Sequence, residues 1–575
     1  MKSIIINIFN LFQFEKKIKL ILIYFFVLLL SLMEVLGIAL IVPAVVIIVG
    51  GNTENIFFSL LYKLGFFLNF ENPLNLFLLI FLLTYFLKFL LSIFCVFFQY
   101  DFVFNFHKKI TEKLFKNYLD KDFLVHVNLK SSNLIRRLAM DMEQVTINSV
   151  LPIFLVITEL SIISVILIFL LYVNYQLTIF IISFVVVLTS IYHLITKKRN
   201  KYWGEIKMKN QSLKINIMQQ SFATIEEIKI LSAENIIKKK FDEYNKNVSD
   251  SNKYQSTILD SGKFFIEIIG VIVVVILIAL FIDEMKAANI IIMSVYAASA
   301  FRFLPSINRI ISAIQRITYS APTVNLILGE LNNLKVNTKT QDPINKKDSS
   351  ILFTKSLELK NISFQYGKHK IIDNLDLKLS KYDKIGIKGA SGSGKSTLLY
   401  ILIGLLKPDS GNILIDGNKV DLRNKNWHKK IGYAPQFMNL IDDTILENII
   451  YGVNIEKTET FKKNIDEIIK ICLLDEFLEN TKDGLNTLVG ENGSKLSGGQ
   501  KQRIGIARSI FRNPEILVFD ESTSSLDPKI EKELLHNIFS YGSKKTVFII
   551  SHKDSTLEQC DKIYEFRDHA LKEVN

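Results

Sequence analysis

Cysteine is almost missing from this chain: three in 575 residues, at Cys95, Cys472 and Cys560, with neither metal-ligand nor disulfide spacing. A disulfide framework and a cysteine-built metal centre are thereby excluded, and the usage fits a reducing interior. The three thiols read as small buried side chains rather than nucleophiles. Nor does the first apolar run read as a secretory leader. The apolar run over 18–50 is far longer than an h-region of about 7–15 residues, and no small-residue cleavage site follows it. No internal repeat is visible.

Long apolar runs are what the chain has in excess, with 43 Phe and 49% hydrophobic residues. A chain of this length is too long for one ordinary domain. Up to about Gln315 it carries runs of Phe, Leu, Ile and Val, several exceeding the roughly 18 apolar residues of a membrane helix; the remainder reads as a soluble α/β domain. The expected spans are 18–49, 74–100, 150–173, 176–196, 264–282 and 287–307. A transmembrane domain over 1–330, a polar linker over 331–350 and a soluble domain over 351–575 follow.

Net charge +13 suggests nucleic acid until its location is considered. The basic residues gather in 108–137 and 197–240, between apolar runs, as the positive-inside rule expects of cytoplasmic loops. Both termini are then cytoplasmic, 50–73, 172–176 and 283–286 face outward, and no nucleic-acid partner is implied. Few Gly or Pro interrupt the two long basic connections, so they read as helical extensions into the cytosol. In the outer loop, Ile56, Phe57, Leu60, Leu61, Leu64, Phe67 and Leu68 recur at helical spacing over 55–70. An interfacial helix meeting lipid, or a plain loop resting on the membrane, fits that pattern.

The soluble part carries nucleotide chemistry. A short strand at 384–388 runs into Gly389-Ala390-Ser391-Gly392-Ser393-Gly394-Lys395-Ser396 and then into a helical stretch, the context a P-loop requires. Gly389, Ser391, Gly392, Gly394 and Thr397 belong to the ATP-phosphate cradle, where backbone N–H groups and a helix N-terminus face the anion. Lys395 neutralises the β- and γ-phosphates, and the Ser396 hydroxyl reaches Mg²⁺. The apolar stretch 515–519 ends in two carboxylates: Asp520, to hold Mg²⁺ through water, and Glu521, to polarise the attacking water as general base. A solvated strand end is the alternative. Between these motifs stands Leu496-Ser497-Gly498-Gly499-Gln500, whose Ser497 and Gly498–Gly499 amides at a helix start form a second anion site.

This ordered set resembles the ATPase domains of ABC transporters over 350–575. The resemblance implies that Tyr366 stacks on adenine, that Gln436 of Tyr433-Ala434-Pro435-Gln436 senses Mg²⁺ and the γ-phosphate, and that His552 is the γ-phosphate switch. Glu491 matches the exporter X-loop and Ser524-Ser525-Leu526-Asp527 the D-loop. It further implies that Ser497, Gly498, Gly499 and Gln500 of one copy close over ATP held by another, so that the working form is a homodimer using ATP and Mg²⁺. Six spans followed by one such domain resemble the half-transporter exporters. The expected fold is thus an α-helical six-span transmembrane domain of ABC exporter type plus an α/β P-loop ATPase domain.

Cargo must be read from ionisable residues inside the spans. Lys88 and Arg302 lie 14 and 15 residues beyond the outer starts of their spans, roughly 21–22 Å deep at about 1.5 Å per residue. Lys263 stands at the inner end of span five. Together they make a basic substrate cavity suited to a pyrophosphate. Pairing of Lys263 with Glu267, or of Lys88 with Glu34 or Glu159, is the open alternative. The stretches Met33-Glu34-Val35 to Pro43, Tyr85 to Lys88, Lys263 to Glu267 and Phe301 to Arg309 resemble bacterial lipid-linked oligosaccharide flippases of the PglK type, with Lys88 and Lys263 standing where that family carries arginines. The resemblance implies flipping of a polyprenyl-pyrophosphate-linked glycan, with membrane lipid as partner, in a bacterial inner membrane. A multidrug, lipid or peptide exporter of the same architecture is the alternative, which calls for a more apolar or acidic cavity.

Overall fold

The computed structural model describes residues 17–40, 43, 73–281, 287–340, 351–453 and 458–574. It divides into two compact units, Met1–Lys121 with Val125–Gln341, and Asp122–Leu124 with Asp342–Asn575. The expected outer helix at 55–70 lies outside the described residues.

The first unit is built from long helices: α1 (Lys17–Ala39), α2 (Pro73–Asp120), α3 (Leu151–Val173), α4 (Tyr175–Ala223), α5 (Glu234–Phe281) and α6 (Ala287–Thr340). A helical run from Ser131 leads into α3 and contains two π-helical turns, Arg137–Asp141 and Thr146–Val150. Helices of 48 and 49 residues, such as α2 and α4, are about 70 Å long, more than twice a hydrocarbon core of about 30 Å. The apolar runs therefore cover only part of each helix. Asn174 both ends α3 and starts α4, its side chain accepting from the Leu177 amide at 3.1 Å.

Among the described residues, five stretches are long and apolar enough to cross a membrane by length and composition: Ile18–Ala39, Asn75–Asp120, Ser131–Val173, Tyr175–Ala223 and Glu234–Leu280. The span expected at 287–307 begins α6, which is not among the five. Leu82, Phe86, Phe89, Phe94 and Phe97 of α2 and Leu194 and Ile195 of α4 are exposed. Apolar surface on this scale suits lipid rather than water. Inside the unit, Phe102, Phe106, Ile110 and Leu114 of α2 pack with Met142, Val145, Ile317, Val324 and Ile327.

The second unit holds two sheets. The strands are β1 (Ser356–Tyr366), β2 (His369–Ser380), β3 (Lys384–Lys388), β4 (Ser410–Ile415), β5 (Asn418–Lys419), β6 (Ile431–Ala434), β7 (Ile516–Asp520), β8 (Thr546–Ile550), β9 (Lys562–Arg567) and β10 (Ala570–Val574). One sheet is antiparallel in the order β2-β1-β4-β5; the other runs β10-β9-β3-β8-β7-β6, parallel from β9 to β6. Strands β7 and β8 are buried at every residue, as expected where helices cover both faces of a parallel sheet. Helix α7 (Lys395–Leu402) follows β3 and buries Leu398, Leu399, Ile401 and Leu402; helix α8 (Gly498–Phe511) buries Ile504, Ile506, Ala507 and Ile510; helix α9 (Pro528–Tyr541) buries Leu534, Leu535 and Ile538.

Candidate functional site

Sheet order explains how residues far apart in the chain converge. Neighbouring parallel strands β3, β8, β7 and β6 all deliver functional residues just past their C-terminal ends, where open α/β sheets bind ligands. Strand β3 leads into the loop 389–394, β8 into Ser551-His552, β7 ends on Asp520 and is followed by Glu521, and β6 leads through Pro435 to Gln436. Register fixes the alignment: Asp520 pairs with Ile550 and Ala434 with Phe519.

The loop turns through glycines at positive φ: Gly389 at 154°, Gly392 at 77° and Gly394 at 116°. A Cβ on Gly394 would meet Ile371 at 2.8 Å, and one on Gly389 the Phe566 carbonyl at 2.6 Å, so side chains are excluded on packing as well as conformational grounds. Lys395 opens α7 almost fully buried and donates to the Gly389 and Ala390 carbonyls at 2.8 Å each. Ser393 Oγ is buried without a hydrogen-bond partner among the described residues. An oxygen-rich anion satisfies such a donor, and the loop amides at a helix start point the same way, so the residues fit the triphosphate of ATP. Ser391 and Ser396 are exposed and Thr397 is buried.

Glu521 sits at the centre of the cluster. Its Oε2 accepts from Gln436 Nε2 at 2.6 Å, and His552 Nε2 lies 2.9 Å from its Oε1. Its φ of 47° places a non-glycine residue in the left-handed region, a strain of order 1–3 kcal/mol of the kind that gathers at functional sites. Burial raises the Asp520 carboxyl above its ordinary value, the neighbouring Glu521 charge adds to that, and the Ser396 hydroxyl and Lys395 offset part of it. Lys395 is lowered, by burial first, with Glu521 and Asp520 acting the other way. Two carboxylates beside a lysine and a serine hydroxyl make an oxygen donor set suited to a hard divalent cation such as Mg²⁺.

The Leu496–Gln500 stretch stands elsewhere. Ser497 caps α8 in a reciprocal box, its Oγ accepting from the Gln500 amide at 3.3 Å while Gln500 Oε1 accepts from the Ser497 amide at 2.8 Å. Gly498 and Gly499 face Ser525 and Leu526. Among the described residues no hydrogen bond or ion pair joins Ser497–Gln500 to the loop 389–397 of the same chain. Tyr366 ends β1, exposed, edge-on to Phe364 at 4.9 Å.

Two contributors escaped the sequence reading. Gln502 Oε1 accepts from the Ser525 amide at 3.0 Å, tying α8 to the segment after Glu521. Arg508 donates to the Asn439 and Asn448 carbonyls at 3.0 and 2.8 Å, anchoring the chain beyond Gln436. Neither falls in a motif with a spacing signature.

The first unit holds a second polar cluster. Lys88 Nζ lies 2.7 Å from Glu34 Oε2, and Arg302 Nε 2.9 Å from Glu34 Oε1, an ion pair whose N–H is not aligned as a hydrogen bond. Arg302 Nη2 is 3.5 Å from Glu159 Oε2, Arg309 Nη1 is 2.7 Å from Glu159 Oε1, and Ser306 Oγ donates to Glu159 Oε2 at 2.7 Å. Glu34 and Glu159 are buried, at 6% and 3% exposure. Three cations against two carboxylates leave one positive charge in excess. Lys263 is exposed on α5 and joins no ion pair among the described residues. Arg309 and Ser306 were missed, although Arg302, Ser306 and Arg309 follow the i, i+4, i+7 spacing of one helix face.

Comparison with known proteins agrees with this anatomy. Residues 372–524 match the family model "ABC transporter" and residues 18–303 the model "ABC transporter transmembrane region". The chain is 38% identical over 270 residues to a putative export ATP-binding/permease protein of Rickettsia felis, covering 46% of this chain and 43% of that one. It is 29% identical over 491 residues to a protein so described from Rickettsia bellii, covering 81% of each. The chain thus spans under half the length of the first of these relatives. A solved structure of a bacterial Atm1-family ABC exporter with ATP bound superposes with a TM-score of 0.75 at 20% identity, covering 96% of this chain and 94% of that one. At that identity the likeness speaks for the fold.

Proposed function

This chain belongs to the ABC transporters as an exporter-type half-transporter, and from that premise we propose that it is an ATP-driven flippase. It carries a polyprenyl-pyrophosphate-linked oligosaccharide from the inner to the outer leaflet of a bacterial inner membrane, with both termini cytoplasmic. The observation that supports an anionic cargo is the cluster of Lys88, Arg302 and Arg309 around Glu34 and Glu159. Intramembrane cations are costly and are kept where they bind something.

In this reading Mg-ATP, held by Lys395, Ser396 and Asp520 with Tyr366 on the adenine, supplies the phosphoanhydride. Glu521 accepts the proton of the attacking water, and Gln436 and His552 hold that carboxylate from either side. Ser497, Gly498, Gly499 and Gln500 act on the nucleotide of a second copy, so the working form is a homodimer with two equivalent sites. Separation of Ser497–Gln500 from the P-loop of its own chain supports this arrangement.

Export of a drug, lipid or peptide is the second reading. An apolar lining favours it: Ile181, Val185, Val273, Leu277, Phe303 and Leu304 border a cavity of about 50 Å³. Stimulation of ATPase activity separates the two. Lipid-linked pyrophosphate oligosaccharide stimulates under the flippase reading, whereas polyprenol and a cationic dye do not; stimulation by the dye alone selects the second reading.

A further inference from the structure

Glu531 is a buried carboxylate that the hydrolytic cluster does not use. It lies in the first turn of α9, which Asp527 caps by accepting from the Lys529 amide at 2.9 Å, and is 5% exposed. An ionised group in such a place costs several kcal/mol unless paired. Here its oxygens are occupied. Oε1 accepts from Thr523 Oγ1 at 2.7 Å and from Thr556 Oγ1 at 3.1 Å, and Oε2 from Lys553 Nζ at 2.6 Å.

The origin of those partners is the informative part. Thr523 is two residues past Glu521, and Lys553 directly follows His552. The carboxylate therefore bridges the two segments that leave β7 and β8, one carrying the carboxylate and the other the imidazole. His552 is half-exposed at 46% for its side chain, and among the described residues its imidazole approaches Glu521 at 2.9 Å. No other polar contact of the imidazole among the described residues fixes the loop. The anchor is one residue away, at Lys553, whose amide also donates to Ser551 Oγ at 3.0 Å. An apolar contact would hold α9 against the sheet equally well, but would not set one loop against the other with hydrogen-bond directionality.

We propose that Glu531 is a positioning residue for ATP hydrolysis, holding the His552 segment in register with Glu521 through Lys553 and Thr523. The proposal rests on the ATPase assignment and is independent of cargo.

The test is single-turnover ATPase on the full chain with Glu531→Gln, which keeps the size and one acceptor oxygen but loses the second acceptor and the charge that holds Lys553. The chemical rate falls about tenfold while the ATP concentration at half-saturation stays within about twofold. In a His552→Ala background the same substitution has no further effect, because it acts through His552. Lys553→Met, at a side chain 41% exposed, reproduces the pattern and serves if the Glu531 variant fails to fold. An unchanged rate in both variants, or an equal loss with and without His552, overturns the proposal. Loss of hydrolysis in His552-intact Glu521→Gln controls, with Glu531→Gln active, separates failure of this inference from failure of the ATPase assignment.

Discussion

Arg302 Nε stands 2.9 Å from Glu34 Oε1, and Glu34 also holds Lys88 at 2.7 Å, so one buried carboxylate faces two of the three cations expected to meet cargo. The pair spans α1 and α6, and Glu159 of α3 closes the network through Arg302 and Arg309. Arg302→Ala is expected to remove stimulation of ATPase by lipid-linked pyrophosphate, at any cargo concentration. Glu34→Gln is expected to lower the cargo concentration giving half-maximal stimulation, because Lys88 and Arg302 lose an internal competitor. Titration of ATPase activity with cargo in nanodiscs reads both.

At the nucleotide site, Glu521→Gln is expected to cut turnover by about 10²–10⁴-fold while ATP binding persists. The amide keeps the size of the side chain between Gln436 and His552 but cannot accept the proton. Equilibrium binding of a fluorescent ATP analogue alongside phosphate release checks the two halves separately.

The composite site makes a prediction in trans. Lys395→Ala and Gly498→Asp chains are each expected to be inactive as homodimers. Co-expressed, they form mixed dimers with one intact site, joining the loop of one chain to the Ser497–Gln500 stretch of the other. Recovery of ATPase activity in tag-selected mixed dimers measures this.

Asp520 trades stability for function. Its folded-state pKa is raised, by burial first and Glu521 second, so stability declines as pH climbs from the ordinary carboxylate value through the raised one. Once ionised, Asp520 is therefore a burden on the nucleotide-free protein. Asp520→Asn is expected to raise its Tm at pH 7, with a gain that shrinks as the pH is brought down towards 4. Thermal scans across that range give the sign directly.

How much of this was legible in the sequence follows from the range of each interaction. The P-loop and the Ser497 cap are local: Gly389 to Ser396 and Ser497 to Gln500 carry their geometry within one turn. Asp520 and Glu521 were legible because an apolar buried strand precedes them. The contact of Gln436 with Glu521 was not, since it depends on β6 and β7 being neighbours. In the membrane unit, apolar runs gave six spans, of which five correspond to helices apolar enough to cross a membrane among the described residues, while the span at 287–307 begins α6 with Arg302 and Pro305 inside it. Pairing of Lys88 with Glu34 was one of two partners open to it; that Arg302 shares the same carboxylate needed the packing of α1 against α6. The π-helical turns at Arg137–Asp141 and Thr146–Val150 left no composition signal.

The most direct test of the central claim is translocation itself. Purified chain in proteoliposomes is given fluorescent polyprenyl-pyrophosphate-linked oligosaccharide, and the fraction reaching the leaflet opposite the ATPase domain is read with a membrane-impermeant glycan-modifying enzyme. ATP-dependent transfer that is lost in both Glu521→Gln and Arg302→Ala is the predicted result. Absence of transfer in vesicles where the same chain moves a cationic dye with ATP would contradict the account.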